Sequence, residues 1–147
     1  MKTILVTGAT GFIGKNLCAT LEQQKDIEIL SYGRSDTRDK LIEYTSRVDF
    51  VFHLAGVNRP KREKEFDEGN RSFTEELLAL LENSGKKAPV VITSSIQAVM
   101  NNPYGTSKKA AEDVVFGWSK RTGIPVFVYR LPNVFGKWCR PNYNSVV

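Results

Sequence analysis

Apolar and polar positions along the chain switch repeatedly between two periods. Short apolar runs of strand length stand at Thr3 to Thr7, Glu28 to Tyr32, Asp49 to Gly56, Pro89 to Ser95 and Pro125 to Arg130. Between them, apolar residues recur at helical spacing. Phe12, Ile13, Leu17 and Leu21 share one face of a helix from about Phe12 to Gln24, which gives way to the polar turn Lys25-Asp26. Leu41, Ile42 and Tyr44, with charges between them, predict a short helix over Thr37 to Ser46. A charged link from Val57 to Glu65 leads into a long helix over Phe66 to Ser84, where Leu77, Leu78, Leu80 and Leu81 supply the apolar face and Gly85 the stop. A last helix, Tyr104 to Arg121, is introduced by Pro103 and closed by Gly123. No repeat, low-complexity tract or flexible linker interrupts the series.

Strands that alternate with helices and are joined by right-handed crossovers make a doubly wound parallel sheet. Ligands of such sheets sit at the carboxyl ends of the strands, where the strand order reverses. The informative clusters all lie at or just beyond a predicted strand end: Gly8 to Gly14, Arg34, His53 to Gly56, Thr93 to Ser95, and Arg130 to Asn133. They therefore converge on one edge of the sheet.

The first of these clusters, Thr7-Gly8-Ala9-Thr10-Gly11-Phe12-Ile13-Gly14, reads as a strand exit, a tight turn and a helix start. That arrangement turns backbone N–H groups and the positive end of a helix dipole toward a phosphate. Gly8 allows the sharp exit, Gly11 lets the backbone approach a pyrophosphate, and Gly14 lets the helix lie close. The ribose end is set by the second strand. Enzymes that bind NAD usually place an acidic residue there, about 20 residues past the glycine turn, to hold the ribose hydroxyls. This chain has Ser31-Tyr32-Gly33-Arg34-Ser35, with no carboxylate until Asp36. Arg34 offers a planar, permanently charged fork for a 2′-phosphate, which favours NADPH over NADH.

Composition narrows the setting. The chain has 147 residues, enough for one full core and one domain. No apolar run approaches the length of a membrane helix, and no basic segment precedes an apolar one as in a secretory signal, so a cytoplasmic protein with no membrane partner is expected. The net charge of +5 is scattered, and Lys61, Arg62 and Lys64 are interleaved with Glu63, Glu65, Asp67 and Glu68. That is a solvated surface and no nucleic-acid stripe, while a basic balance suits anionic nucleotide ligands. Cys18 and Cys139 have no zinc spacing and read as free thiols, and no metal site is expected.

Chemistry is carried by Tyr104-Gly105-Thr106-Ser107-Lys108. Residues four apart on a helix share a face, so the Lys108 ammonium can stand near the Tyr104 phenol. A free tyrosine has a pKa of about 10, and a nearby cation lowers it by favouring the phenolate. The pair becomes a usable acid and base.

These motifs resemble the nucleotide-sugar branch of the extended short-chain dehydrogenase/reductases, the NAD-dependent epimerase/dehydratase family, with a Rossmann-type fold. The likeness runs through the glycine turn, His53-Leu54-Ala55-Gly56, Asn70, Thr93-Ser94-Ser95, Tyr104 with Lys108, and Arg130-Leu131-Pro132-Asn133-Val134-Phe135-Gly136. More narrowly, Val57-Asn58-Arg59-Pro60, Ser94-Ser95-Ile96-Gln97-Ala98 and Lys137-Trp138-Cys139-Arg140-Pro141-Asn142-Tyr143-Asn144-Ser145-Val146 resemble the capsular polysaccharide enzymes of that family. The resemblance implies reduction by NADPH of a UDP-linked 4-keto-6-deoxy-N-acetylhexosamine at C4, on the way to N-acetylfucosamine. It implies that Gly8, Ala9, Thr10, Gly11, Phe12, Ile13 and Gly14 hold the pyrophosphate. Leu54, Ala55 and Gly56 would line the adenosine-ribose and nicotinamide side, and Thr93 would pass under the nicotinamide ribose. Tyr104 would protonate the C4 alkoxide, with Lys108 tuning it and holding ribose hydroxyls. Ser95 would hydrogen-bond the carbonyl, with Ser94 the alternative, and Pro132 and Asn133 would border the nicotinamide and the substrate diphosphate. It also implies a homodimer formed through the helices at Phe66 to Ser84 and Tyr104 to Arg121.

His53 reads as a core residue at a strand end and no base, and Trp138 and Tyr143 read equally as substrate contacts or loop anchors. Sugar 4,6-dehydratases of the superfamily carry an Asp-Glu pair after the catalytic Ser or Thr, where this chain has Ile96-Gln97, so dehydration is not expected. A nucleotide-sugar 4-epimerase that keeps its NAD is one alternative, although the interval from Ser95 to Tyr104 is short for one. A non-catalytic NADP sensor is another, opposed by the retained Tyr104 and Lys108. Val147 follows the fifth strand and its loop, and relatives continue into further substrate-binding segments and a metal-binding cupin domain. Residues 1–147 are therefore expected to be an incomplete dinucleotide-binding domain with weak cofactor binding and little turnover.

Overall fold

A computed structural model describes residues 1–57, 61, 62 and 64–139. Asn58 to Pro60 and Arg140 to Val147, which carry part of the resemblance and include Tyr143, lie outside the described residues. In chain order the elements are β1 (Lys2–Thr7), α1 (Phe12–Leu21), β2 (Ile27–Tyr32), α2 (Arg38–Arg47), β3 (Phe50–His53), α3 (Lys64–Phe66), a π-helical segment (Asp67–Ser72), α4 (Phe73–Asn83), β4 (Val90–Ser95), a 3-10 turn (Ile96–Val99), α5 (Pro103–Thr122) and β5 (Val126–Leu131). The five strands pair in parallel in the order β2-β1-β3-β4-β5.

The predicted doubly wound sheet is thus present, and its order reverses between β1 and β3. On one face Leu5, Val51, Val90 and Ile92 meet Leu41 of α2, Leu77 and Leu81 of α4, and Val115 and Trp118 of α5. On the other, Ile4 and Val6 meet Leu17, Cys18 and Leu21 of α1. Alternate residues of each strand feed the two layers, which is why these runs read as nearly continuous apolar stretches.

Local chemistry explains the boundaries. Asn102 caps α5 by accepting from the Gly105 N–H at 2.7 Å, Pro103 occupies the first turn, and Gly123 closes the helix with φ +75. Three boundaries depart from expectation. α1 ends at Leu21, because the N–H groups of Gln23 and Gln24 fold back on Thr20 and Leu21. β3 stops at His53, after which the Ala55 N–H goes to the Thr7 hydroxyl at 3.3 Å. The expected single helix over Phe66 to Ser84 begins at Lys64 and carries the π-helical segment. Cys18 and Cys139 are both free. Among the described residues, no helix is long and apolar enough to cross a membrane and no group of His, Cys, Asp and Glu is arranged to hold a metal.

Candidate active site

The turn between β1 and α1 is built as a cradle. The Gly8 N–H donates to the Tyr32 carbonyl at 2.8 Å, and the Gly11 N–H donates to the Gly8 carbonyl at 2.9 Å. Gly8 has φ +70, and a Cβ there would lie 2.7 Å from the Ala55 nitrogen, so only glycine lets the turn after β1 touch the turn after β3. Gly11 stands at the N-cap of α1 without a side-chain cap bond. The first-turn N–H groups that a capping side chain would occupy are therefore available to an anion, at the positive end of a ten-residue helix. A dinucleotide pyrophosphate fits that donor set.

At the end of β4, α5 delivers Lys108 and Tyr104. Lys108 is buried, with its Nζ 3.4 Å from the Thr93 carbonyl at the end of β4. Burial brings its pKa down to about 8. Its ammonium stands 5.8 Å from the centre of the Tyr104 ring, and the Phe66 ring also packs 5.8 Å from it. Gly56 faces the same spot, since a Cβ there would lie 3.0 Å from Lys108 Nζ and 2.9 Å from Asn70 Oδ1. Tyr104, Lys108, Thr93, Ala55 and Gly56 thus come together as the sequence suggested. His53, Ala55, Asn70, Thr74, Thr93 and Lys108 are among the residues that line a cavity of about 10 Å³ beneath the amine.

The two serines at the end of β4 point to different duties. The Ser94 hydroxyl donates to Glu112 Oε1 at 2.6 Å, and Glu112 is also gripped by Arg130, from Nε at 2.8 Å and from Nη2 at 2.6 Å. Glu112 is fully buried, and these donors hold its carboxyl below the usual range against the opposing effect of burial. The Ser95 hydroxyl accepts from the Gln97 N–H at 3.1 Å, capping the 3-10 turn, and retains its own proton to donate. Glu112 stands four residues beyond Lys108, and that repeated spacing was its only signal in the sequence.

A buried polar chain ties the cradle to α5. Thr74 donates its hydroxyl proton to the Asn70 carbonyl at 2.5 Å, so it accepts from His53 Nε2 at 2.9 Å. His53 Nδ1 then accepts from the Thr7 hydroxyl at 2.7 Å. Asn70 holds both the N–H and the carbonyl of Val57 and donates to Ser107 Oγ at 3.0 Å. Desolvation first, and Lys108 second, push the His53 pKa down to about 3, so the ring is neutral near pH 7 and serves as a fixed strut.

Arg34 lies exposed beyond β2, the edge strand separated from β4 by β1 and β3. Pro132 and Asn133, exposed after β5, begin a segment that folds back over α1, where Asn16 Nδ2 donates to the Lys137 carbonyl at 2.9 Å.

Gly105, unremarked in the sequence, sets how closely α5 packs against the turn after Ser95. A Cβ there would lie 2.0 Å from the Gln97 carbonyl oxygen and 3.0 Å from that of Met100, whereas Gly117 of the same helix has nothing within 4 Å. Gly105→Ala is expected to destabilise the fold by about 1–3 kcal/mol through overpacking. Gly117→Ala is expected to stabilise it by about 0.5–1 kcal/mol through helix propensity. Urea unfolding midpoints at unchanged m-value read both, and equal signs would contradict this packing.

Residues 4–146 match the NAD dependent epimerase/dehydratase family. The chain is 49% identical over 144 residues to the UDP-2-acetamido-2,6-beta-L-arabino-hexul-4-ose reductase of Pseudomonas aeruginosa, covering 98% of this chain and 39% of that protein. It superposes on the capsular polysaccharide assembling protein CapF of Staphylococcus aureus with a TM-score of 0.85 and 45% identity, over 97% of this chain and 39% of that one. The UDP-glucuronic acid 4-epimerase of Bacillus cereus shares the fold, with a TM-score of 0.84 at 22% identity over 95% of this chain and 58% of that one. The chain thus spans about two-fifths of the length of the two more similar relatives.

Proposed function

The chain belongs to the NAD dependent epimerase/dehydratase family, and on that premise we propose that it forms the dinucleotide-binding and proton-transfer part of an NADPH-dependent reductase. Its substrate is a UDP-linked 4-keto-6-deoxy-N-acetylhexosamine, reduced at C4 for surface polysaccharide synthesis. The observation that carries this reading is the Tyr104 and Lys108 pair, held by α5 at the end of β4, in the same parallel sheet whose first strand ends in the capless glycine turn of α1. The 49% identical relative, named for reducing a UDP-linked hexul-4-ose, supports the substrate class.

When bound, the nicotinamide supplies the hydride for the carbonyl carbon. Tyr104 gives its phenolic proton to the substrate's C4 oxygen as negative charge collects there. Lys108, charged below about pH 8, stabilises the phenolate left behind. Ser95 donates its hydroxyl to the same oxygen, while Ser94 is engaged by Glu112 and holds β4 against α5. Gly8 to Gly14 hold the pyrophosphate, Leu54 to Gly56 and Thr93 line the path of the dinucleotide, and Arg34 takes the 2′-phosphate. Pro132 and Asn133 border the nicotinamide and the sugar diphosphate, and two copies pair through α4 and α5.

The full-length gene product containing residues 1–147 is to be incubated with the UDP-keto sugar and NADPH. Stoichiometric oxidation of NADPH with formation of a C4 alcohol is expected. Interconversion of C4 epimers without net NADPH consumption would instead establish an epimerase, and binding without turnover a sensor.

A further inference from the structure

Asp36 is the first carboxylate after β2, close to where NAD-binding proteins of this architecture place the acid that accepts from the ribose hydroxyls. Here both of its oxygens are engaged within the chain. Oδ2 accepts from the Gly33 N–H at 2.7 Å, and Oδ1 meets the Lys40 ammonium at 2.6 Å. The side chains are only 23% and 37% exposed. The turn that carries Asp36 abuts the cradle, since a Cβ at Gly33 would lie 3.4 Å from Thr10 Oγ1. Lys40 is aimed from a second side, its ammonium 5.4 Å from the centre of the Tyr44 ring, and Tyr44 in turn receives Arg47 at 5.8 Å.

We propose that Lys40 is a specificity-determining residue that selects the 2′-phosphorylated dinucleotide by neutralising and tying back Asp36. This rests on the reading that Gly8 to Gly14 bind a dinucleotide whose adenosine ribose lies at the end of β2. With Lys40 in place, each carboxylate oxygen already has a partner and the group presents little net charge, so it competes poorly for a ribose diol and repels a phosphate little, and Arg34 is left as the stronger local charge. Hydrogen bonds from Lys40 and then Gly33 hold the Asp36 carboxyl below its usual range, so the anion persists through the neutral region and the amine must stay to mask it. Without Lys40, Oδ1 becomes a free acceptor of the kind that holds ribose hydroxyls, and its charge repels a 2′-phosphate.

The test is direct titration of NADPH and NADH, by calorimetry, into the unaltered protein, Lys40→Met, Asp36→Asn and the double variant, with Arg34→Ala as a control. The unaltered protein is expected to favour NADPH. Lys40→Met is expected to shift the NADPH-to-NADH affinity ratio about tenfold toward NADH, and the double variant, lacking the freed carboxylate, to recover most of that shift. A ratio in Lys40→Met within about twofold of the unaltered protein overturns the proposal. So does a double variant no better than Lys40→Met, which would make Lys40 a direct phosphate ligand instead of a mask on Asp36. Tighter binding of NADH by the unaltered protein would overturn the NADPH reading of the site itself, a different result from either.

Discussion

Tyr104→Phe is expected to lower kcat for C4 reduction by about a hundred- to ten-thousand-fold, the usual contribution of a positioned general acid. The change removes one oxygen and leaves the ring, so packing of position 104 against Phe66 is kept. Lys108 keeps two anchors on other elements, the Thr93 carbonyl at the end of β4 and the backbone beside Gly56. NADPH affinity is therefore expected to stay within about twofold, and the loss to fall on kcat with KM nearly unchanged, the pattern of a group acting in the transition state. Steady-state kinetics on the protein as encoded, beside a cofactor titration, separate the two quantities. A variant retaining more than about a tenth of the rate would remove Tyr104 from the proton-transfer step and revive a sensor on this scaffold.

The layout of the sheet was legible because strand and helix runs differ in both length and period, and each informative cluster fell at a strand end. What the sequence left open has specific physical causes. Ser94 and Ser95 stand on opposite faces of β4, and period-two alternation does not say which face is which until α5 brings Glu112 down on one of them. Asp67-Glu68-Gly69-Asn70-Arg71-Ser72 has no apolar period, so the π-helical segment was invisible. Yet that extra residue per turn accompanies a buried Asn70 that reaches both Val57 and Ser107. Gly105 carries no signal in the Tyr-x-x-x-Lys spacing, because its role depends on a carbonyl eight residues earlier in the chain. In the sequence Asp36 is only the first acid after the second strand. Its partner Lys40, four residues on in a predicted helix, was a readable signal of the pairing now observed.

Alanine at position 14 is expected to cost dinucleotide binding at least about a hundredfold, the loss of two charge-assisted hydrogen bonds to phosphate at about 1.5 kcal/mol or more each. Sequence reasoning gave Gly14 the task of letting α1 lie close to the sheet. The structure shows a nearer neighbour, since a Cβ there would lie 2.2 Å from the Gly8 carbonyl oxygen, 2.7 Å from Ala9 Cα and 2.9 Å from the Ala9 carbonyl carbon. All three are backbone atoms of the cradle itself and cannot swing aside as a side chain would. The Gly8 carbonyl is also the acceptor for the Gly11 N–H that closes the turn, so pushing it away opens the loop and turns the first N–H groups of α1 off the phosphate. The apolar contacts of α1, through Leu17, Cys18 and Leu21, lie further along the helix, so the sheet is expected to survive with its circular dichroism unchanged. NADPH titration of Gly14→Ala beside Gly117→Ala then isolates the cradle, because the second variant adds the same methyl group where nothing lies within 4 Å. Affinity in Gly14→Ala within about threefold of the unaltered protein would mean that the phosphate is held somewhere other than this turn.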